Sequence, residues 1–221
     1  MPTGGVALDI GCGTGGTFEL FERLGCAHGV GVDLADDALR LARRKRPTAH
    51  LVRADASAPL PFGQDSFDLV TVFNVLCHAW IADEVQTLRQ ISALMKPGGL
   101  IAITEPAFEV LTRRLDKLVM SRRRYRLAEM TAMAAEAGLQ PVRTGYFGSA
   151  AFVPALGLAL MDRLSKEDGG QGHGTPLDLR VPPAWLNRLF LFLTNLDGRA
   201  IAAGFAPPFG ITLIGVYRKV V

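Results

Sequence analysis

The stretch Val6-Ala-Leu-Asp-Ile-Gly-Cys-Gly-Thr-Gly-Gly16 decides the fold. Val6 to Ile10 is a short apolar run holding one acid, which suits a buried strand of a parallel sheet. Gly11, Gly13 and Gly15 follow at alternate positions, where glycine permits positive φ and lets a ligand approach the backbone. Thr17 to Leu24 then predicts a helix with Phe18, Leu20, Phe21 and Leu24 on one side. Strand, glycine turn and helix N-terminus together make a cradle for a nucleotide-like ligand. Gly11, Gly13 and Gly16 also satisfy G-x-G-x-x-G, a pattern of low specificity by itself. Asp9 narrows the choice. A carboxylate at the strand end repels a pyrophosphate but suits a ligand carrying a cationic amino group.

Leu8-Asp-Ile-Gly-Cys-Gly-Thr-Gly15 closely resembles the first motif of class I S-adenosylmethionine (SAM)-dependent methyltransferases. SAM has an α-ammonium and a sulfonium, and no phosphate. The segments "LPFGQDSFDLV" from Leu60 and "LMKPGGLIAITEP" from Leu94 resemble the type 11 group, which includes the ubiquinone and menaquinone C-methyltransferases. The resemblance covers Val6 to about Pro106. It implies an α/β fold: one Rossmann-like, doubly wound domain over 1–221, with seven strands and an antiparallel last strand. It also implies SAM as cofactor, held at the first turn by Asp9, Gly11, Cys12, Gly13 and Gly15.

Further site candidates follow the next strands. His28 to Val32 predicts the second strand, with Asp33 and then Leu34 beyond it. An acid roughly twenty residues past the glycine turn is placed to bond a ribose diol; the other reading of Asp33 is a helix cap for Ala38 to Lys45. Ala49 to Arg53 predicts the third strand, and the resemblance implies that Asp55 and the Ala56 amide meet the adenine ring. Phe67 to Phe73 predicts the fourth strand. Residues beyond the carboxyl ends of parallel strands line the ligand crevice, which puts Asn74 near the cofactor and His78 near the acceptor. His78 is the candidate catalytic base, since an imidazole titrates near working pH. Glu105, at the end of the fifth strand, Leu100 to Thr104, is the second.

Composition sets outer bounds. The chain has 221 residues, 49% of them hydrophobic, which allows one domain with a large core. The net charge of +3 is too weak to argue for nucleic acid. Three scattered cysteines form neither a disulfide framework nor a metal-spaced cluster, and they suit a reducing cytosol. The N-terminus lacks the layout of a signal peptide, so a cytoplasmic protein is expected. Only Met1 to Gly5 precede the first strand, where the family has a helix or two. Either the true start lies upstream or another segment closes the site.

The second half departs from the simple pattern. Asp83 to Met95 predicts a core helix. Ala107 to Arg126 carries seven basic residues, among them Arg113, Arg122, Arg123 and Arg124. It reads as an amphipathic helix with a solvated basic face, or as a patch for an anionic substrate or acidic membrane surface. A helix to Ala137 and a sixth strand follow. The Arg-Arg-Tyr before that helix and the Ala-Gly-Leu after it resemble bacterial methyltransferases of glycan and secondary-metabolite genes. About sixty residues, 148–208, then intervene before a last strand, Ile211 to Tyr217. They predict a helical insertion or lid: Ala150 to Leu164, interrupted by Pro154 and Gly157, a flexible loop at Asp168 to Thr175, and Pro183 to Ala203. The expected partners are a small or lipid-linked acceptor, with packing, a homodimer or a membrane surface against 150–203. The alternatives in function are a catalytically idle SAM-fold module and an NAD(P)-dependent oxidoreductase or epimerase.

Overall fold

The computed structural model describes residues 4–164, 183–205 and 207–220. The predicted loop at Asp168 to Thr175 lies outside them. Strands β1 (Val6–Ile10), β2 (His28–Asp33), β3 (His50–Arg53), β4 (Phe67–Phe73), β5 (Met95–Pro106), β6 (Leu139–Phe147) and β7 (Thr212–Lys219) form a seven-stranded sheet. Its order is β3-β2-β1-β4-β5-β7-β6. β1 to β5 pair in parallel and β7 runs antiparallel between β5 and β6. The expected doubly wound sheet is therefore present. Strand order reverses between β1 and β4, so the crevice for a ligand opens over their carboxyl ends.

The helices are α1 (Phe18–Arg23), α2 (Asp36–Lys45), α3 (Glu84–Leu94), α4 (Arg114–Leu118), α5 (Leu127–Glu136), α6 (Phe152–Leu164) and α7 (Ala184–Ala202). In α3, Leu88 and Ile91 are fully buried, and the Asp83 carboxylate caps the helix by accepting from the Gln86 amide at 2.8 Å. The core joins Leu8 and Ile10 of β1, Val70 and Val72 of β4, and Ile101 and Ile103 of β5, all fully buried.

The chain between β6 and β7 leaves and returns at one point, because Phe147 at the end of β6 pairs with Thr212 at the start of β7. Helix α6 is unbroken, contrary to expectation. Pro154 falls in its first turn, where the missing N–H has no helical acceptor to lose, and Gly157 continues the helix at a place where a Cβ would meet nothing within 4 Å. Phe152 packs on Phe108 and Phe209, with ring centroids 5.5 and 5.2 Å apart. At the head of α7's buried side, Asp197 accepts from the Ser149 amide and hydroxyl, both at 2.7 Å.

The basic stretch is corrected too. Residues 107–126 form no long amphipathic helix. Positive φ at Phe108 (+56°) and Met120 (+55°) interrupts it, and only a short 3₁₀ turn and α4 are helical. The rest is a strap that bridges back at His78–Ser121 and Ala107–Tyr125. Arg113, Arg122, Arg123 and Arg124 are held in ion pairs and not simply spread on a solvated face. Arg113 binds Asp162 of α6 at 3.0 Å and Arg124 binds Asp116 at 2.9 Å. Arg122 binds Glu84 at 2.5 Å, while Arg123 reaches Glu84 and Glu129. Asp162 and Glu84 come from distant parts of the chain, so helical spacing held no sign of them.

Candidate functional site

A cleft of about 180 Å³ opens beyond the carboxyl ends of β1 to β4. Its wall takes Gly11 after β1, Val32, Asp33 and Leu34 from β2, Ala54 and Ala56 after β3, and Asn74, Val75, His78 and Trp80 after β4. Four strands thus deliver one short segment each, as a parallel sheet does at its carboxyl edge. A larger hollow near Phe18, His28 and His50 sits at the opposite, amino ends of β2 and β3, away from this crevice.

Gly11 is required by its place. Its φ is +72°, and a Cβ there would meet Val75 Cγ2 at 2.5 Å. Asp33 ties the turn together. Its Oδ2 accepts from the Gly13 amide and its Oδ1 from the Ala35 amide, both at 2.8 Å. Each carboxylate oxygen keeps a further lone pair for a ligand hydroxyl. Asn74 holds φ +55° at the end of β4 while its amide bonds the Thr104 carbonyl at 2.7 Å.

Other predicted residues stand elsewhere. Asp9 lies under the turn and not on the cleft wall, 1% exposed. Its Oδ1 accepts from the Thr71 hydroxyl at 2.6 Å, and Oδ2 is buried without a hydrogen-bond partner. Burial pushes its carboxyl up to about 6. The Cys12 side chain turns into the core, where a Cβ on Gly31 would meet Sγ at 2.8 Å; burial pushes its thiol up to about 12. Only its backbone can serve the turn. Gly13 and Gly15, at φ +50° and +80°, shape the turn without lining the cleft. Asp55 folds onto its own loop, accepting from the Ser57 amide at 2.8 Å and hydroxyl at 2.7 Å, while Ala54 and Ala56 face the cleft.

His78 lines the cleft and stacks on Trp80, with ring centroids 4.1 Å apart and 12° between planes. Its Nδ1 is buried and unbonded. Glu105 is not available as a base. It is fully buried, and Oε1 accepts from the Val75 and Leu76 amides at 3.0 and 2.8 Å, Oε2 from the Cys77 amide at 3.1 Å. It clamps the β4–α3 loop that carries Asn74 and His78. Desolvation pushes its carboxyl up to about 7, against the pull of those amides.

A second cavity, about 250 Å³, shares Asn74 with the first. Pro106, Leu111, Ala155 and Ile211 give it apolar walls, and Arg113 and Arg124 line it as well. Sequence reasoning missed it. Its wall joins the β5 end, the strap, α6 and the β7 start, segments far apart in the chain. It missed Trp80 as well, whose only sequence signal is its place two residues after His78.

Known proteins resemble the chain in sequence and in fold. The chain resembles the family described as "Methyltransferase domain" over residues 8–103. A demethylmenaquinone methyltransferase of Staphylococcus saprophyticus is 33% identical over 131 residues, 54% of this chain and 55% of that one. A trans-aconitate 2-methyltransferase of Rhizobium rhizogenes is 34% identical over 101 residues, 45% of this chain and 38% of that one. The chain thus spans about half the length of the curated relatives it matches, or less. Among solved structures, an S-adenosylmethionine-dependent methyltransferase of Mesorhizobium loti superposes with TM-score 0.65 at 16% identity, covering 99% of this chain and 94% of that one. A phosphoethanolamine N-methyltransferase of Haemonchus contortus, solved with SAM, gives TM-score 0.61 at 22% identity, covering all of this chain and 50% of that one. In sequence, residues 8–103 are similar to the methyltransferase-domain family, and the fold of the chain is that of these solved methyltransferases.

Proposed function

We propose that the protein is a SAM-dependent methyltransferase acting on an O, N or C nucleophile of a small, largely apolar or lipid-linked metabolite. The observation that carries this reading is the cleft wall itself: Gly11, Asp33 and Asn74 converge there, with the unsatisfied Asp9 carboxylate oxygen beneath the turn. A cation over the turn would balance that oxygen, and SAM brings one. A nicotinamide cofactor would set a pyrophosphate above the same carboxylate, which charge disfavours.

When bound, SAM supplies an electrophilic methyl on its sulfonium. Asp33 would hold the ribose hydroxyls with its remaining lone pairs, and Ala54 and Ala56 would flank the adenine. The second cavity would take the acceptor and Asn74, shared by both cavities, would orient it; in-line positioning of this kind lowers a barrier by up to roughly 7–11 kcal/mol. His78, fixed by Trp80, takes the acceptor proton. The strap arginines are neutralised by Asp116 and Asp162, so the apolar walls and not a net positive charge select the acceptor. Residues 148–208 form an insertion within one domain, over 1–221. The three free cysteines support a cytosolic setting.

Titration calorimetry with S-adenosylhomocysteine tests the reading. Binding is expected, and Asp33→Ala weakens it about 10–100-fold, the worth of charge-assisted hydrogen bonds. NADH gives no heat. No binding by a chain that circular dichroism shows to be folded, or NADH binding instead, overturns the proposal.

Proton linkage is a second readout. An ammonium placed near Asp9 lowers its raised pKa, so SAM binding near pH 6 releases up to about half a proton. Calorimetry in buffers of different ionisation enthalpy measures this, and Asp9→Asn abolishes it.

A further inference from the structure

Among the described residues, helices α6 and α7 carry large hydrophobic side chains that are exposed. On α7, Trp185, Leu189, Phe192 and Leu196 fall four, three and four residues apart, one stripe of the helix, and all are exposed. Trp185 is 68% exposed, and Leu164 at the end of α6 is 82% exposed. Contiguous apolar surface of this kind marks an interaction site.

The charges on these helices are one-sided. Their acids are Asp162 and Asp197, and both are turned inward. Asp162 accepts from Arg113 and from the Arg114 amide, and Asp197 accepts from Ser149. The exposed charged side chains among the described residues of α6 and α7 are then Arg163, Arg188 and Arg199. Arg188 and Arg199 border the α7 stripe at helical spacing. Arg163 donates to the Val110 carbonyl, a neutral acceptor that leaves its charge in place. Exposed tryptophan, phenylalanine and leucine with arginine alone among the charges match the interface of an anionic lipid layer. No helix among the described residues is long and apolar enough to cross a membrane.

The surface is also joined to the acceptor cavity. Ala155 of α6 lines that cavity, and the Arg113–Asp162 pair fastens the far end of α6 to the strap.

We infer that α6 and α7 form a peripheral membrane-docking face, through which an acceptor held in an anionic bilayer reaches the second cavity. The acceptor part rests on the methyltransferase reading; docking itself does not. Cations near an anionic surface each add about fivefold in affinity, and the apolar stripe adds the burial of its side chains.

Sedimentation of the full chain with phosphatidylcholine vesicles, with and without phosphatidylglycerol, tests this, beside calorimetry with S-adenosylhomocysteine. Binding is expected only with phosphatidylglycerol and weakens as salt rises. Leu189→Ser with Phe192→Ser, both exposed, lowers it at least tenfold and leaves S-adenosylhomocysteine binding unchanged. Arg188→Gln with Arg199→Gln lowers it about 25-fold. Failure to bind either vesicle, by a chain that binds S-adenosylhomocysteine, overturns docking and leaves the enzyme reading intact. A dimer that the Leu189→Ser, Phe192→Ser variant dissociates, with no vesicle binding, overturns it in favour of a second copy. Vesicle binding without S-adenosylhomocysteine binding supports docking and counts against the cofactor site.

Discussion

Glu105→Ala is expected to destabilise the protein by roughly 3–9 kcal/mol, since it strips the acceptor from three buried amides at about 1–3 kcal/mol each. That is a large part of the ~5–15 kcal/mol that holds a domain folded. Urea unfolding followed by circular dichroism measures it. Glu105→Gln separates the hydrogen bonds from the charge. Its carbonyl oxygen can still accept from Val75 and Leu76, but its NH₂ faces the Cys77 amide, so a loss of about 1–3 kcal/mol is expected. The sign of the pH dependence follows from burial. The folded state raises this carboxyl from 4.5 to about 7, so the fold holds the proton more tightly than the unfolded chain does. The group's stabilisation is complete below pH 4.5 and is lost as pH rises through about 7. The shift amounts to about 3 kcal/mol. Asp9 acts in the same direction, over a window ending near pH 6. Glu105→Gln should remove its own part of this slope, bringing mutant and wild type closer at pH 8 than at pH 5. An unchanged slope would mean that Glu105 is ionised throughout.

The second large effect concerns the turn. Gly11→Ala adds a Cβ at φ +72°, with Val75 Cγ2 at 2.5 Å, on the wall of the cleft. The left-handed backbone costs an alanine about 1–2 kcal/mol and the overlap a further 1–3 kcal/mol. Val75 sits on the loop that Glu105 clamps, so it cannot retreat cheaply. S-adenosylhomocysteine affinity is expected to fall at least about 100-fold, the equivalent of roughly 3 kcal/mol. Gly13→Ala is the control. Its φ of +50° brings the backbone cost alone, because nothing lies within 4 Å of the new Cβ. Calorimetry on both variants reads the difference. Equal, mild losses would place the ligand away from Gly11.

The two effects share a cause. β4 and β5 lie side by side, and Glu105 at the end of one secures the loop that leaves the other. That loop presents Val75 to Gly11 and His78 to the cleft. Stability of the core and shape of the site are therefore coupled through one carboxylate.

The sequence alone determined the sheet and the turn. β1, its glycines and α1 follow from local patterning: an apolar run, positive φ that glycine tolerates, then helical spacing. Asp33 was legible for the same reason, since its distance from Gly11 reflects one β-α-β unit. The tertiary structure decided what depends on partners distant in sequence. Glu105 reads as an acid before a proline and proves to be a clamp, because its amides lie 28 to 30 residues away. The arginines of 113–124 read as a solvated face and prove to be paired, with Asp162 49 residues from Arg113. Asp9 carries the motif, and only the fold shows that it lies buried beneath the turn and bonded to Thr71 of β4, 62 residues away. Local chemistry specifies the conformation of a segment; which charge or amide it meets is settled only when the sheet brings distant segments together.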